Sequence, residues 1–533
     1  MWPQSYSPLG GSLGLSALAA ALPIFTLLIL LGIMRKPAWM SSLAGLAAGI
    51  VVALAVYRMP VGLVISSTLY GAAYGLLPIG WIVFTAILLY RLTIETGKFA
   101  IIKDSIGSLT GDQRLQALLI AFAFGAFMEG AAGFGTPVAV AAAMLAGLGF
   151  NPFYAAGICL LANTSPVAFG SIATPLIALH TVTGIPMPAL SADVGRLCAP
   201  VSLFVPAYLI LVMGGMKALK AVFPAAAICG VAFAGTQFVV SNFLGPELTD
   251  ILGSLVALLA LVILLNRWSP KDAVESVPHS HTGRSVLTAW SPYAWLVVFV
   301  LAWGYPSIKA TLNKATIVFA WPGLHNLVQR MPPITAQPSN YAASYTFNWL
   351  SASGTSCLFA VIASAIMLRV SPGKLAHWTW MTARQLALPM LTIATTVGLA
   401  FLMNYSGATA TLGLAFAATG AAFPFFSSFL GWLGVFLTGS DTSANALFGT
   451  LQTVTANRLG LNPALMAAAN SSGGVMGKMI SLQSVAVAAA ATGMAQKDEG
   501  RLFRFTLGHS IFMASVIGML TLFYAYVMPQ WAR

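Results

Sequence analysis

Two strings decide how this chain is read: EGAAGFGTP at residues 129–137 and LANTSPVAFG at residues 161–170. The first puts a carboxylate, Glu129, inside a long apolar run and surrounds it with glycines. The second breaks another apolar run with Asn163, Thr164, Ser165 and Pro166. Ionisable side chains and loosened backbone are both costly in lipid, where no water satisfies them. Much the same pair recurs late in the chain, as GSDTSANALFGT at 439–450 and GLNPALMAAANSSGGVMGK at 460–478. GFNP at 149–152 matches GLNP at 460–463, ANTSP at 162–166 matches ANSSG at 469–473, and Glu129 matches Asp441. A duplicated pair of polar interruptions points to a membrane transporter with one central site built by two repeats.

Outward from these strings the chain is overwhelmingly apolar. Of 533 residues, 58% are hydrophobic and 7% charged, against about 25% charged in a soluble domain. Apolar runs near membrane length recur and strand alternation is absent. The expected fold is therefore an all-α polytopic membrane protein, with about 12 transmembrane helices plus two re-entrant hairpins in two inverted repeats. The run that begins near Gly11 reads as a retained first span rather than a signal peptide. The net charge of +13 reports cytoplasmic Lys and Arg, not nucleic-acid binding. Cys159, Cys198, Cys229 and Cys357 have no metal-ligand or redox spacing and read as packing residues. No metal and no cofactor is expected. His279 and His281 resemble a weak metal pair, better read as part of a solvated loop.

The N-terminal membrane repeat spans 1–266, with a hairpin at 115–148 and a broken helix at 153–179. A cytoplasmic linker at 267–287 leads to a C-terminal repeat at 288–533, with a hairpin at 424–459 and a broken helix at 464–492. Arg35 and Lys36 directly follow the first span, which puts the N-terminus outside and the first loop inside. Residues 94–114 read as a cytoplasmic surface segment, and the proline-containing 305–345 as an ordered external loop. Gly130, Gly133 and Gly135 are the expected hinge of the first hairpin, which enters and leaves on the cytoplasmic side. The second hairpin is approached from outside. Ordinary full spans are the competing reading of both.

Of the acidic residues only Glu129 and Asp441 fall inside apolar segments. The others, Asp193 and Asp250 among them, are placed in loops or at span ends. Lys478 is the one base clearly inside. Each such group costs roughly 2.5 to 3.5 kcal/mol at the bilayer centre, so all three need partners or a wet cavity. Glu129 and Asp441 are candidate proton carriers, or else structural carboxylates accepting backbone N–H groups. Lys478 is placed to face a substrate carboxylate, with a salt bridge to Asp441 or Glu129 as the rival. Ser165 reads as a helix cap and Pro166 as the first helical residue after the break. Ser471, Ser472 and the Gly473–Gly474 pair are expected to do the same in the other repeat. Two half-helix N-termini meeting at mid-membrane make an anion site. Asn163, Thr164, Ser165, Asn470, Ser471 and Ser472 then bind substrate, unless these small residues serve tight helix packing instead. His180 and His509 are either interfacial or proton relays.

The string FMEGAAGFGTPVAVAAAMLAGLGFNPFYAAGICLLANTSPVAFGSIATPLIAL, 127–179, closely resembles the L-lactate permease family of bacterial inner membranes. GSDTSANALFG at 439–449 resembles it too, as do the chain length and the order of spans. The resemblance implies a multi-pass inner-membrane symporter. It would import L-lactate, and often glycolate, D-lactate and related short 2-hydroxy acids, together with protons. It further implies that Glu129, Asn163–Ser165, Asp441 and Asn470–Ser472 lie at a substrate site. The wider ion-transporter group adds an elevator-type motion and a homodimer as expectations. Under this reading Glu129 or Asp441 takes the proton, Lys478 and the half-helix N-termini hold the carboxylate, and Asn, Ser and Thr groups read the 2-hydroxyl. The alternatives are a cation/proton antiporter, a channel and an integral-membrane enzyme. Against the enzyme, HExxH, GxSxG and P-loop motifs are absent, and GAAGFGTP lacks the third glycine of a dinucleotide fingerprint.

Overall fold

The computed structural model describes residues 1–133, 136–270, 281–494 and 498–532. Gly135 and residues 271–280 of the expected linker, His279 among them, lie outside the described residues. Among the described residues, ten helices are long and apolar enough to cross a membrane, and a bent pair, Pro152–Ala162 with Val167–Thr183, makes an eleventh. Three shorter apolar helices, Pro137–Gly147, Thr249–Leu265 and Ser353–Met367, accompany them. Helices dominate because lipid offers the backbone no other partner. Helix Leu13–Leu28 shows the pattern: Leu15, Leu18, Leu22 and Phe25 are exposed along one stripe, while Ala20, Ile24 and Leu27 pack inward. The 57-residue helix Met187–Phe243 would extend roughly 85 Å at 1.5 Å per residue, far beyond a bilayer core of about 30 Å. It breaks at Gly214 and Gly215, the latter at φ +67°, so it supplies two spans.

Helix–turn–helix pairs occupy both stretches expected to form hairpins. In the first, Gln113–Ala131 runs to a tip and Thr136–Gly147 returns beside it. Its two ends meet, because Gln113 Nε2 donates to the Gly149 carbonyl at 3.4 Å. The outgoing arm is 94% buried, as backbone that turns at membrane depth requires. Gly133 turns the chain at φ +60°. Gly130 does not hinge it: it lies inside helix Gly125–Ala131, where its missing side chain makes room for a neighbouring helix. In the second hairpin, Phe423–Thr438 and Asp441–Leu459 are joined at Gly439, φ +70°. Ser427 Oγ donates to Gln452 Oε1 at 2.8 Å and Gln452 Nε2 donates back to the Ser427 carbonyl at 2.9 Å, fixing the antiparallel register. Gly133 and Gly439 each turn a tip at positive φ. Glu129 precedes its tip and Asp441 follows its own, so the expected pairing of the two carboxylates does not hold in position.

The helix breaks fall elsewhere than expected. Helix Pro152–Ala162 ends at Asn163, but Ser165 Oγ caps nothing and Pro166 leads only into a short 3-10 turn, Val167–Phe169. The interruption continues to Ser171, Ile172 and Ala173, at φ +48°, +54° and +60°. Such left-handed residues cost of order 1–3 kcal/mol each. The hairpin tip holds them there: Ser171 Oγ donates to the Ala132 carbonyl at 2.7 Å, and a side chain at Gly133 would collide with Ser171. In the other half, helix Pro463–Lys478 runs unbroken through Ser471–Gly474. Its break follows Lys478, and Ser481 caps the next helix, Leu482–Ala491, by accepting from Ser484 N at 3.2 Å. The glycines here serve close packing, with Gly431 against the Asn470 backbone, Gly473 against Ser428 and Gly477 against the Trp432 carbonyl. Without a Cβ, two helices approach to backbone contact.

Segments assigned to one side of the membrane are found together. Strand Trp2–Pro3 pairs with Val328–Arg330 of the external loop, which also carries the antiparallel pair Ile317–Ala320 and Ser344–Phe347. Gln4 Nε2 ties this cap down by donating to the Asn404 and Tyr405 carbonyls. On the opposite side His281 reaches Asp104 at 3.5 Å, and Arg35, Lys36 and Glu499 line one cavity. Gly431→Val should force the second hairpin off helix Pro463–Lys478. Overpacking of this kind costs about 1–3 kcal/mol or more. A clear fall in the thermal midpoint of the detergent-solubilised protein is expected, and an unchanged midpoint would show the contact to be slack.

Candidate functional site

A cavity of about 360 Å³ brings Glu129, Asp441 and Lys478 together. This lies within the range of small-ligand pockets, about 300–1,000 Å³. The two hairpin tips supply one wall, through Gly133 and Gly439–Ser443, with Ser171 and Thr174 from the first broken helix. The facing wall comes from Ala38, Trp39, Ile87 and Gln385–Ile393. Helix Asp441–Leu459 begins at this cavity, so its unsatisfied N–H groups and positive dipole end are directed there. The expected half-helix N-terminus of the second half is therefore at Asp441, not at Ser471–Gly474.

Asp441 is 3% exposed and well held. Its Oδ2 accepts from Ser471 Oγ at 2.6 Å and from Asn445 Nδ2 at 3.1 Å. Asn445 extends the network: its Nδ2 also reaches Ser471 Oγ and the Pro175 carbonyl, at 3.1 and 3.2 Å. Asn470 Nδ2 donates to Asn445 Oδ1 at 2.9 Å, and Asn470 Oδ1 accepts from Gln452 Nε2 at 3.0 Å. Asn470 and Ser471 thus bind the protein to itself. The network also ties the second hairpin to the first broken helix through Pro175.

Lys478 ends helix Pro463–Lys478 and is 7% exposed. Its Nζ donates to the Gly439 carbonyl at 2.5 Å. No ion pair within 4.0 Å joins it to Glu129 or Asp441 among the described residues. The salt-bridge alternative is therefore not realised, although Lys478 interacts electrostatically with both carboxylates. Two of its three donors remain for a ligand. Glu129, 4% exposed, has no hydrogen-bond partner for Oε2. Gly170 lies against it, where a Cβ would stand 2.7 Å from Oε1.

The remaining expected binding residues divide. Thr164 Oγ1 donates to the Leu161 carbonyl at 2.8 Å, a local helix-end bond. Asn163, Ser165 and Ser472 are buried with side-chain polar atoms that make no hydrogen bond of good geometry, although Asn163 interacts with Glu129 and Ser472 with Cys198. They do not line the cavity, and neither do Thr164, Asn470 and Ser471. Among the described residues no group of three or more His, Cys, Asp or Glu forms a metal site. The sequence reading passed over Asn445, although it lies one helical turn past Asp441 in the quoted GSDTSANALFG string. It also passed over Asp250, which opens the apolar helix Thr249–Leu265 and so looked like a span end, but is 1% exposed. His509 pairs with Tyr208 and His180 with the Ile185 carbonyl, both at 2.6 Å, so neither reaches the cavity.

The family described as L-lactate permease matches residues 16–528. The L-lactate permease of Bacillus subtilis is 46% identical, over 98% of this chain and 98% of its own length. That of Escherichia coli K12 is 44% identical over 99% of each. The glycolate permease GlcA of Escherichia coli K12 is 45% identical, over 99% of this chain and 98% of its own. Among solved structures, the YdaH transporter of Alcanivorax borkumensis aligns with a TM-score of 0.46 at 16% identity, covering 86% of this chain and 87% of that one.

The hydrogen-bond pattern separates two asparagines. Asn445→Ala deletes four bonds in a buried network and strands their partners, at about 1–3 kcal/mol for each group left unpaired. Asn163→Ala removes an amide that makes no hydrogen bond of good geometry and interacts with the Glu129 carboxyl, and should cost less stability than Asn445→Ala, about 1 kcal/mol. Thermal midpoints of the two purified variants check this, and equal losses would contradict the network as described.

Proposed function

This chain belongs to the L-lactate permease family, and we propose that it imports L-lactate, glycolate and related short 2-hydroxy monocarboxylates by proton symport. It is a multi-pass protein of the bacterial inner membrane, and not an enzyme. The observation that carries the reading is the single cavity shared by Glu129, Asp441, Lys478 and a helix N-terminus. Lys478 and the N–H groups that open helix Asp441–Leu459 are the elements for a carboxylate ligand. Ser440, Thr442 and Ser443 offer hydroxyls to its 2-hydroxyl.

Charge explains why a proton should accompany the anion. With both carboxylates ionised, the three groups sum to one negative charge, and a bound lactate makes two. Protonating one carboxyl relieves that repulsion in a site withdrawn from water. It also cancels the cost of moving an anion against an inside-negative potential, about 2.3 kcal/mol per charge per 100 mV. Asp441 sits at a helix N-terminus and its Oδ2 accepts two hydrogen bonds, while its Oδ1 has none. Glu129 lies in the last turn of helix Gly125–Ala131, and its Oε2 lacks any donor. Glu129 is therefore the better carrier of the coupled proton, with Asp441 and Lys478 holding the geometry. An antiporter reading would use both carboxylates but leaves Lys478 without a role.

The test is uptake of labelled L-lactate into proteoliposomes under an imposed inward proton gradient. The native protein should accumulate lactate. Glu129→Gln should lose accumulation by at least tenfold while lactate-for-lactate exchange continues. Accumulation by Glu129→Gln at the native level would move the proton to another group, and absence of lactate uptake by the native protein would overturn the substrate.

A further inference from the structure

Asp250 is the buried carboxyl that this site leaves out. It stands in the first turn of helix Thr249–Leu265 and is 1% exposed. A carboxylate in that position ordinarily accepts free N–H groups of its own helix end. Here neither Asp250 oxygen has a hydrogen-bond partner, and no cation lies within 4.0 Å among the described residues. The fold makes room for it against Glu129. At Gly130, the next residue, an ideal Cβ would stand 2.8 Å from Asp250 Cβ and 3.1 Å from Ile251 Cγ1. Only a glycine lets the helix that carries Glu129 lie on the start of helix Thr249–Leu265. Two titratable groups interact electrostatically with Asp250, Glu129 from helix Gly125–Ala131 and Cys198 from helix Met187–Phe243, and neither is hydrogen-bonded to it. The third segment packed there, Ala117–Phe124, contributes none.

An unpaired carboxylate in such surroundings is costly, whereas the neutral acid is tolerated. Two buried carboxyls on helices in backbone contact repel when both are charged, and among the described residues Asp250 has no cation of its own to offset that. Glu129 lines the cavity and Asp250 does not. We propose that Asp250 is a second proton-holding residue of the transporter, which exchanges a proton with Glu129 across Gly130. The inference rests on the symport reading above. The two carboxyls share no hydrogen bond in this structure, so the exchange requires Glu129 to turn from Gly170 toward Asp250. An O–H bond then breaks on one carboxyl and forms on the other carboxylate, so the pair keeps one proton and one negative charge and nothing is oxidised or reduced. Glu129 meets the substrate, and Asp250 keeps the proton out of the cavity while Glu129 is ionised.

The experiment uses the full-length protein in proteoliposomes with labelled L-lactate outside and a pH-sensitive dye inside. Native protein and Asp250→Asn are compared between pH 5.5 and 8.5, with Asp250→Glu as the conservative variant. The expected result for Asp250→Asn is a loss of at least tenfold in gradient-driven accumulation and a flattened pH profile, with a smaller effect on lactate-for-lactate exchange. Asp250→Glu should restore part of the pH dependence. Native accumulation, pH profile and protons carried per lactate in Asp250→Asn would overturn the proposal and leave the symport reading standing. Failure of the native protein to carry protons with lactate would overturn the symport reading itself. Should Asp250→Asn fail to fold, the native protein is treated with dicyclohexylcarbodiimide, which adds to protonated carboxyls in apolar surroundings. Labelling of the Asp250 peptide that fades as pH rises supports the proposal, and labelling confined to Glu129 overturns it.

Discussion

Where a helix stops inside the membrane, its last N–H and C=O groups have no water to turn to. The polar residues of this protein gather at such stops. Asp441 opens helix Asp441–Leu459 and Lys478 closes helix Pro463–Lys478, an anion at a positive end and a cation at a negative one. Lys478 also takes the carbonyl of Gly439, which terminates helix Phe423–Thr438. Ser171 takes the carbonyl of Ala132, where the first hairpin turns. Two of these interruptions are thus satisfied by a residue of another, while Gln237 takes the Ser165 carbonyl and Ser481 caps its own helix.

That mutual satisfaction requires backbones to come very close, and small residues allow it. Gly431, Gly473 and Gly477 let the second hairpin and helix Pro463–Lys478 touch at backbone distance, and Gly474 leaves space for Asp441 Oδ1. On the other side of the cavity Gly130 and Gly133 do the same for Asp250 and for the left-handed turn at Ser171–Ala173. The Asn445 network then crosses from the second hairpin to Pro175 of the first broken helix. Packing and hydrogen bonding together make the hairpins and broken helices one connected structure facing Trp39 and the Gln385–Ile393 stretch.

Much of this was legible because charge in lipid is rare enough to be conspicuous. Glu129, Asp441 and Lys478 stood out against apolar neighbours, and the structure puts all three in one cavity. Asn163, Ser165, Asn470 and Ser472 were less transparent. A polar residue in an apolar run shows that something must satisfy it, not whether that partner is a ligand or the protein. Asn470 proved to be held by Asn445 and Gln452, while Asn163 makes no hydrogen bond of good geometry and interacts with Glu129. Asp250 was misjudged for the opposite reason: it sits at the end of an apolar run, and run ends usually lie at water.

The sequence alone determined the class of molecule, its helical character and the residues too costly to be idle in lipid. These follow from composition and periodicity, which are properties of the chain itself. Tertiary structure decided where the helices break, because a glycine string reads the same whether it hinges a helix or packs one. It also decided that Glu129 and Asp441 stand on opposite sides of their hairpin tips, and that Asp250 is buried beside Glu129. Those outcomes depend on which backbone lies against which, and residues far apart in the chain settle that.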